Sequence, residues 1–230
     1  MRKVLILGST GSIGKSTLDV ISSNSELYEV TGLVAKNNDQ EILKQAKKYK
    51  VKNIFLSSNK DLESKHDFEG NYSNYQNLDD FISGNSVDIV VAAISGVIGL
   101  KPILSAIRAG KKVLIANKEP LVVAGKLLMK EAKESGAEVI PIDSEHCAIH
   151  QCLSSIERED LTKIIITCSG GPFLGKSREE LRNVSIDDAK NHPIWSMGNK
   201  NLIDSASLMN KALELIEARW LFDVPEHKIE

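Results

Sequence analysis

Residues 6–21, ILGSTGSIGKSTLDVI, carry the pattern that decides the fold of the first half of the chain. An apolar run ends in a loop that holds Gly8, Gly11 and Gly14, and a helical pattern follows at once. This order of strand, glycine loop and helix leaves free backbone N–H groups at a helix N-terminus, where a phosphate group can bind. The spacing is G-x-x-G-x-x-G instead of the usual G-x-G-x-x-G, so a tight strand–helix turn without a ligand is the alternative interpretation.

Apolar runs and helical patterns continue to alternate beyond this loop. Strands are predicted at 3–8, 28–35, 52–57, 87–93, 112–116, 138–142 and 162–168. Helices are predicted at 12–23, 39–49, 98–109, 119–135 and 145–157. Such alternation is typical of an α/β fold in which helices cover a parallel sheet. The polar segment 58–76 is predicted to be an irregular surface connection.

Composition narrows the class of protein. The 230 residues include 31 acidic and 29 basic side chains, so no bulk charge attracts the chain to nucleic acid or to a membrane surface. No apolar run approaches the roughly 18 residues of a membrane span. A strand pattern follows Met1 almost directly, which leaves no room for a signal peptide. The odd number of cysteines, 3, argues against a disulfide framework, and we expect a cytoplasmic protein.

The second strand bears on the choice of cofactor. It lies in YEVTGLVAKNND (28–39), and it is followed by Lys36, Asn37 and Asn38. A dinucleotide site that selects NAD usually has an acidic residue here to bind the ribose 2′-hydroxyl. A cation and two amides suit a 2′-phosphate instead, which favours NADP. The alternative is a solvated lysine at the end of a strand.

The stretch VIPIDSEHC (139–147) leads a buried strand into a group of polar side chains. Side chains alternate along an extended chain, so Asp143 and Glu145 face the same way. Two carboxylates aimed at one point repel each other unless a cation lies between them. The pair therefore raises the question of where a cation would come from.

The stretch DSASLMNKALELIEARW (204–220) predicts a helix with one polar sector, which holds Asn210, Lys211, Glu214 and Glu217. One interpretation is a solvated stripe opposite an apolar side, which contains Leu208, Met209, Ala212, Leu213, Leu215 and Ile216. The other makes Glu214 a third carboxylate for the pair at 143 and 145, a set of ligands that suits Mg²⁺ or Mn²⁺. In that interpretation Ser205, Asn210 and Lys211 gather donors for a phosphate, and Asp204, Ser205 and Ser207 cap the start of the helix.

Three further features admit two interpretations each. ITCSGGPFLG (166–175) is either an anion cradle or a simple turn. NHPIWSMGNKN (191–201) places Trp195 and Met197 either on a core or in a lid that excludes water. His146 and His150 have the i, i+4 spacing of zinc ligands, but the run HCAIH lacks the glutamate of H-E-x-x-H, and we interpret both as ordinary helix residues.

Taken together, these motifs resemble the 1-deoxy-D-xylulose 5-phosphate reductoisomerase family. The resemblance is carried by GSTGSIG (8–14), IANKEPLV (115–122), DSEHCAI (143–149), SGGPF (169–173), HPIWSMGNK (192–200) and IDSASLMNKALELIEARWLF (203–222). It implies an enzyme of the non-mevalonate isoprenoid pathway that rearranges a ketose phosphate and reduces the product with NADPH to 2-C-methyl-D-erythritol 4-phosphate. It also implies a divalent metal, Mg²⁺ or Mn²⁺ with Co²⁺ as a further option, and a homodimer.

The resemblance assigns roles to individual residues. It makes Asp143, Glu145 and Glu214 the metal ligands and catalytic carboxylates, with Lys118 and Ser144 at the reacting oxygens of the substrate. It places other side chains on the substrate phosphate or in the closing flap: Ser169, Ser205, Asn210, Lys211, His192 and Trp195. It places a third set on the cofactor: Thr10, Gly11, Ser12, Ile13, Lys36, Asn37, Asn38, Asn117, Glu119 and Gly198.

The family pattern also predicts the domain organisation. We expect a Rossmann-like NADP-binding domain at 1–142 and an α/β catalytic domain at 143–230. The motifs depart from the pattern at Lys36, where a glycine is common, and at Asn201, where an apolar residue is usual. Family members are longer, so we expect the catalytic domain to be incomplete and the isolated chain to bind NADPH with little turnover. Two alternatives stay open: another NADP-dependent oxidoreductase, and a cofactor-binding remnant without activity.

Overall fold

The computed structural model describes residues 1–57, 70–194 and 198–230. The chain divides into two compact units, Met1–Asp143 and Ser144–Glu230, which we call unit 1 and unit 2. In the described residues, no helix is long and apolar enough to cross a membrane.

Unit 1 is built on a parallel sheet, as the alternation of strands and helices predicted. Its described residues form seven strands in the order β4-β3-β2-β1-β5-β6-β7. The strands are β1 Arg2–Leu7, β2 Tyr28–Ala35, β3 Asn53–Leu56, β4 Asn71–Asn74, β5 Ile89–Ala92, β6 Lys112–Ile115 and β7 Val139–Pro141. The helices are α1 Ser12–Ser22, α2 Asp39–Tyr49, α3 Leu78–Ser83, α4 Leu100–Arg108 and α5 Glu119–Ser135. The sequence reasoning missed β4 and α3.

The segment 58–76 was predicted to be irregular, and its second part corrects that prediction. Residues 58–69 lie outside the described residues, whereas 71–74 pair in parallel with β3. The segment NYSN has no apolar alternation, because it extends the sheet at its edge and its backbone supplies the pairing. Edge strands of this kind leave little signal in hydropathy.

The centre of the sheet fixes where a ligand can bind in unit 1. Leu5, Ile6 and Leu7 of β1 are fully buried, and β1 pairs with β2 on one side and β5 on the other. The strand order therefore reverses at β1, and in open α/β sheets ligands bind beyond the carboxyl ends of the strands at such a point. The glycine loop begins directly after Leu7. The Rossmann-like architecture is thus confirmed.

Two glycines of that loop allow close approach of backbone to backbone. Gly8 has a φ of +85°, and a Cβ atom there would lie 2.5 Å from the carbonyl oxygen of Ala93. Gly14 is buried in the first turn of α1, and a Cβ atom there would lie 2.5 Å from the Gly8 oxygen and from the Ser9 Cα. Any side chain at Gly14 would therefore push α1 away from the loop.

Unit 2 is mainly helical in its described part. Its helices are α6 Ser144–Leu153, α7 Ile186–Lys190, α8 Asn199–Ala206 and α9 Met209–Leu221. A small apolar core contains Ile164, Ala218, Phe222, Val224 and Ile229. The helix predicted at 145–157 ends earlier, at Leu153.

The strand predicted at 162–168 is not formed as a strand. Ile164 makes a single parallel bridge to Ile229, supported by backbone hydrogen bonds from Ile164 N to the Lys228 oxygen (2.8 Å) and from Glu230 N to the Ile164 oxygen (2.9 Å). In the described residues only the short segment 228–230 hydrogen-bonds to it in this way, so the ladder is too short for a regular strand.

We expect Gly14→Ala to destabilise unit 1 by about 2 kcal/mol, because overpacking of a filled site costs roughly 1–3 kcal/mol. Urea unfolding followed by circular dichroism measures the change. Gly84→Ala is the matched control, since its Cβ would lie 3.4 Å from the nearest atom and its φ is −71°. Equal unfolding midpoints for the two variants would contradict the argument.

Candidate active site

The residues predicted to bind the cofactor follow the carboxyl ends of strands in unit 1. Thr10, Gly11, Ser12 and Ile13 follow β1, and all are exposed or half-exposed. Gly11 is the N-cap of α1 and provides no side-chain hydrogen bond to its first turn. The N–H groups at the start of a helix without such a cap are open to an anion.

The residues after β2 combine exposure with one structural task. Lys36 and Asn37 are exposed. Asn38 is the N-cap of α2, and its side-chain oxygen accepts a hydrogen bond from Glu41 N at 3.2 Å. Asn38 thus fixes the start of α2, while Lys36 is the cation at this end of β2.

Asn117 was predicted to lie near the ribose, and in the structure its side chain hydrogen-bonds to backbone atoms. Its side chain is buried, and its amide nitrogen donates to the carbonyl oxygens of Ile94 and, at 2.9 Å, of Gly96. Its amide oxygen accepts from Glu119 N at 3.3 Å. Asn117 therefore holds the loops that follow β5 and β6 together, a role that the motif IANKEPLV did not reveal.

Lys118 and Asp143 form an ion pair in unit 1. Lys118 follows β6 and Asp143 follows the neighbouring β7, which brings Lys118 Nζ to 2.8 Å from Asp143 Oδ2. Their side chains are 13% and 21% exposed. Adjacent parallel strands thus pair a cation with the carboxylate that directly precedes unit 2.

In unit 2, Lys211 lies between two of the predicted carboxylates. Its Nζ lies 2.9 Å from Glu145 Oε1, donates to Glu214 Oε2 and donates to the Thr167 carbonyl oxygen at 2.6 Å. Ser144 Oγ donates to Glu145, and the Asn210 amide donates to Glu214. α6 and α9 thus bring together Glu145, Glu214 and three of the predicted substrate residues.

In this cluster, burial and hydrogen bonding shift the pKa values of the charged side chains in opposite directions. Burial raises the pKa of Glu145, but the hydrogen bonds from Ser144 and Lys211 outweigh it, so the pKa lies below its ordinary value. Burial lowers the pKa of Lys211, and the bonds to Glu214 and Glu145 reverse that effect and raise it. Both groups are therefore held in their charged forms.

The polar sector of α9 faces inward, which excludes the interpretation as a solvated stripe. Glu214 and Glu217 are 1% and 0% exposed, whereas Leu208 and Met209 are more than half exposed. The solvated-stripe interpretation placed the apolar side of the helix toward the core, and the exposure of these two residues corrects that orientation. Hydrophobic patterning failed here because both carboxylates have polar partners: Asn210 and Lys211 of α9 at Glu214, and His146 of α6 at Glu217.

The helix predicted from 204 is divided into two. Asp204 and Ser205 lie in α8, and α9 begins at Met209 after Leu208, which has a φ of +60°. Asp204 accepts a hydrogen bond from Lys200 Nζ at 2.6 Å and does not cap α9. The capping prediction for Asp204, Ser205 and Ser207 is therefore wrong for Asp204 and Ser205. Ser207 Oγ accepts a hydrogen bond from Met209 N, the first residue of α9, at 3.4 Å, whereas the N-cap residue Leu208 makes no side-chain cap.

The second glycine loop brings three further predicted residues together. Ser169 Oγ lies 3.2 Å from His192 Nε2. Gly171 has a φ of +65°, and a Cβ atom there would lie 2.9 Å from the Ser205 carbonyl oxygen. Ser169 and His192 are thus neighbours, and the glycine loop lies against Ser205 near the end of α8. Gly198 is the exposed N-cap of α8, and Trp195 lies outside the described residues.

Comparison with known proteins identifies the family. The family description 1-deoxy-D-xylulose 5-phosphate reductoisomerase matches residues 4–125, and the description of its C-terminal domain matches residues 139–222. The chain belongs to the 1-deoxy-D-xylulose 5-phosphate reductoisomerase family. The resemblance stated from the motifs is therefore confirmed.

Individual relatives agree with this assignment. All of the chain aligns with the reductoisomerases of Clostridium acetobutylicum, at 46% identity and over 62% of that protein, and of a Thermoanaerobacter species, at 44% identity and over 61%. A reductoisomerase structure in complex with NADPH, fosmidomycin and magnesium matches with a TM-score of 0.92 and 41% identity, covering all of this chain and 60% of that one. The Zymomonas mobilis reductoisomerase in complex with NADPH gives 0.88 and 40%, with the same coverage. The chain spans about three fifths of the length of these relatives.

In this member of the reductoisomerase family, His146 has surroundings that the sequence reasoning missed. It was interpreted as an ordinary helix residue, yet it is fully buried and lies 2.9 Å from the Glu214 carbonyl oxygen through Nε2. Its Nδ1 lies 3.5 Å from Glu217 Oε2. Glu217 was the feature of the sequence that could have revealed this role of His146. It shares a helix sector with Glu214, and it needs a polar partner when that sector is buried.

We expect Lys211→Met to raise the pKa of Glu145, because burial then acts without the lysine to oppose it. In the unaltered chain Glu145 stabilises unit 2 above its ordinary pKa of 4.5, and this contribution is lost as the pH falls through the lower pKa of the folded state. The variant loses the contribution already at higher pH. Carbon-13 NMR titration of the Glu145 carboxyl group measures the pKa.

Lys163→Met is the control for this titration, since Lys163 pairs with Glu230 on the surface of the same unit. We expect it to leave the pKa of Glu145 unchanged. The argument fails if Glu145 titrates at the same pH in the Lys211 variant as in the control.

Proposed function

We propose that this chain serves the conversion of 1-deoxy-D-xylulose 5-phosphate to 2-C-methyl-D-erythritol 4-phosphate with NADPH and a divalent metal. The observation that carries the proposal is the inward polar face of α9, which sets Glu214 and Lys211 against Glu145 of α6. Reduction by NADPH alone requires no such set of carboxylates, so the cluster favours a metal-dependent reductoisomerase over another NADP-dependent oxidoreductase.

The proposed metal ligands are Asp143, Glu145 and Glu214. Carboxylate oxygens suit Mg²⁺ or Mn²⁺, and Lys211 brings the carboxylates of Glu145 and Glu214 together. Asp143 is separated from Glu145 by Ser144 alone. A bound divalent cation supplies Lewis acidity toward the oxygens of the substrate.

The proposed substrate residues divide by charge and position. Ser144 and Lys118 lie beside two of the proposed ligands, in hydrogen bond to Glu145 and in ion pair with Asp143, where they can contact the reacting oxygens. The phosphate would be bound by donors near the second glycine loop and the start of α9: Ser169, Ser205, Asn210 and Lys211. His192, whose Nε2 lies 3.2 Å from Ser169 Oγ, and Trp195 are proposed as parts of the closing flap.

The proposed cofactor site lies at the carboxyl edge of the sheet in unit 1. The open N-terminus of α1 supports pyrophosphate binding, and Lys36 supports a 2′-phosphate. Asn37, Asn38 and Glu119 complete the adenosine and ribose contacts in this proposal, with Asn117 positioning the loop, and Gly198 is retained as a further cofactor residue. Unit 1 would then be the NADP-binding domain and unit 2 the catalytic portion.

We also propose a cytoplasmic homodimer. The three cysteines, Cys147, Cys152 and Cys168, are free thiols, which supports a reducing compartment. The dimer rests on the family resemblance. A chain that binds NADPH without turnover is the alternative, and an assay of NADPH oxidation with 1-deoxy-D-xylulose 5-phosphate and Mg²⁺ separates the two.

We expect Glu214→Gln to weaken Mn²⁺ binding at least about tenfold, because loss of a direct ligand should cost no less than loss of an outer-shell partner. Calorimetric titration of the 230-residue chain with Mn²⁺ measures this. Mn²⁺-dependent binding of fosmidomycin should disappear in the same variant.

Glu179→Gln is the control for Mn²⁺ binding, because Glu179 is an exposed acidic residue of the same unit. Unchanged affinity in the Glu214 variant, or no Mn²⁺ binding by the unaltered chain, would refute the metal site.

We expect the chain to bind NADPH more tightly than NADH, and we expect Lys36→Met to reduce this preference. A charge-assisted hydrogen bond contributes about 1.5–3 kcal/mol, so the affinity for NADPH should fall roughly tenfold or more while that for NADH changes little. Fluorescence titration with both cofactors is the measurement. Lys44→Met, an exposed lysine of α2, is the control. Equal affinities for the two cofactors in the unaltered chain would count against the assignment of Lys36.

A further inference from the structure

Unit 2 buries two ionisable side chains to which the proposed function gives no role. His146 of α6 and Glu217 of α9 are both 0% exposed. Complete burial of such groups is expensive, and removing one partner of a buried pair leaves the other uncompensated. An apolar pair of similar volume would fill the same space without this cost, so the pair needs an explanation other than stability.

The contacts of His146 lead to the backbone of a proposed metal ligand. The Glu214 carbonyl oxygen can only accept a hydrogen bond, so His146 Nε2, at 2.9 Å, carries the proton and donates it. The other ring nitrogen, Nδ1, faces Glu217 Oε2 at 3.5 Å. The ring of Phe222 stacks on the imidazole with a centroid separation of 6.1 Å and an interplanar angle of 12°. The imidazole is thus fixed in position, with Nε2 as the donor to the backbone of α9.

The positions of the two residues in their helices give these contacts their effect. His146 is the next residue after Glu145 in α6, and Glu217 follows Glu214 by three residues, which places both glutamates on one face of α9. A hydrogen bond from His146 to the backbone of residue 214 sets the height and rotation of α9 against α6. The Glu145 and Glu214 side chains then meet at Lys211, whose Nζ contacts both.

We propose that His146 and Glu217 are positioning residues, which hold the register between α6 and α9 so that Glu145 and Glu214 face the same point. This proposal rests on the proposed function, because it takes both glutamates to be ligands of a divalent metal. Neither His146 nor Glu217 binds the metal in this proposal. They act as the outer shell of side chains that orients the ligands.

The test is Mn²⁺ affinity, measured by calorimetry on the full chain, in a variant that retains packing and loses the polar contacts. His146→Leu/Glu217→Met replaces both partners with apolar side chains, a change that often leaves stability unaltered or raised. We expect this variant to fold, with a melting temperature close to that of the unaltered chain, and to bind Mn²⁺ about 10- to 100-fold more weakly. A purely structural pair would change the melting temperature and leave the affinity of the folded chain as it was.

Three further variants complete the test. His150→Leu changes the other histidine of α6, which is half-buried, and should leave Mn²⁺ affinity unchanged. His146→Gln places an amide nitrogen where it can still donate to the Glu214 carbonyl, and we expect it to retain more Mn²⁺ affinity than the double variant. If the double variant does not fold, Glu217→Gln decides, because it preserves volume: weaker binding at an unchanged melting temperature supports the proposal.

The outcomes separate this proposal from the proposed function. No Mn²⁺ binding by the unaltered chain would refute the metal site itself. Mn²⁺ binding that is lost in Glu214→Gln but retained at full affinity in the folded His146→Leu/Glu217→Met variant, or in Glu217→Gln, would overturn the positioning role alone.

Discussion

The burial of the carboxylates of α9 is the constraint on which the candidate site depends. Glu214 and Glu217 face the interior of unit 2 with almost no exposure, so every oxygen of theirs that is removed from water requires a polar neighbour. Lys211 and Asn210 meet this requirement at Glu214, and His146 contributes at Glu217. The same contacts bring Glu145 of α6 into the cluster through Lys211. A demand for polar partners in the interior thereby assembles residues that are far apart in the sequence.

Unit 1 is organised by a different constraint, the close approach of backbone segments at the glycine loop. The reversal of strand order at β1 creates a crevice beyond its carboxyl end, and Gly8 and Gly14 let the loop and α1 fit against their neighbours there. The N-terminus of α1 is left without a side-chain cap as a result. The backbone at this edge of the sheet thus provides N–H donors, and Lys36 is an exposed cation at the end of the neighbouring β2.

The sequence allowed the parallel sheet and the glycine loop to be predicted, because each has a local signal in hydropathy or spacing. The meeting of Glu145 with Glu214 was one of two interpretations of the polar sector, and only the family resemblance selected it. The sequence left the direction of α9 open, because its polar sector allowed either a solvated stripe or an inward set of ligands. The apolar residues Leu208 and Met209 favoured the first interpretation, yet they are the exposed ones. Spacing did not show the break at Leu208, since a positive φ at leucine has no sequence signature. His146 was missed for a related reason: its partners lie 68 residues or more along the chain, and no local rule connects them.

Because the apolar core of unit 2 is small, the polar contacts of the candidate site also help to hold its helices together. Among the described residues, its buried apolar cluster contains five side chains, including Ile164, Phe222 and Val224, whereas one such cluster of unit 1 contains fifteen. Polar contacts between α6 and α9 therefore make up a larger share of what holds the helices of unit 2 together. Buried ion pairs are seldom better for stability than apolar residues of the same volume. Their presence in a unit with so small a core fits a requirement for a fixed arrangement of charge. The effect of a substitution in this cluster should therefore be measured on the geometry of the site as well as on the stability of the unit.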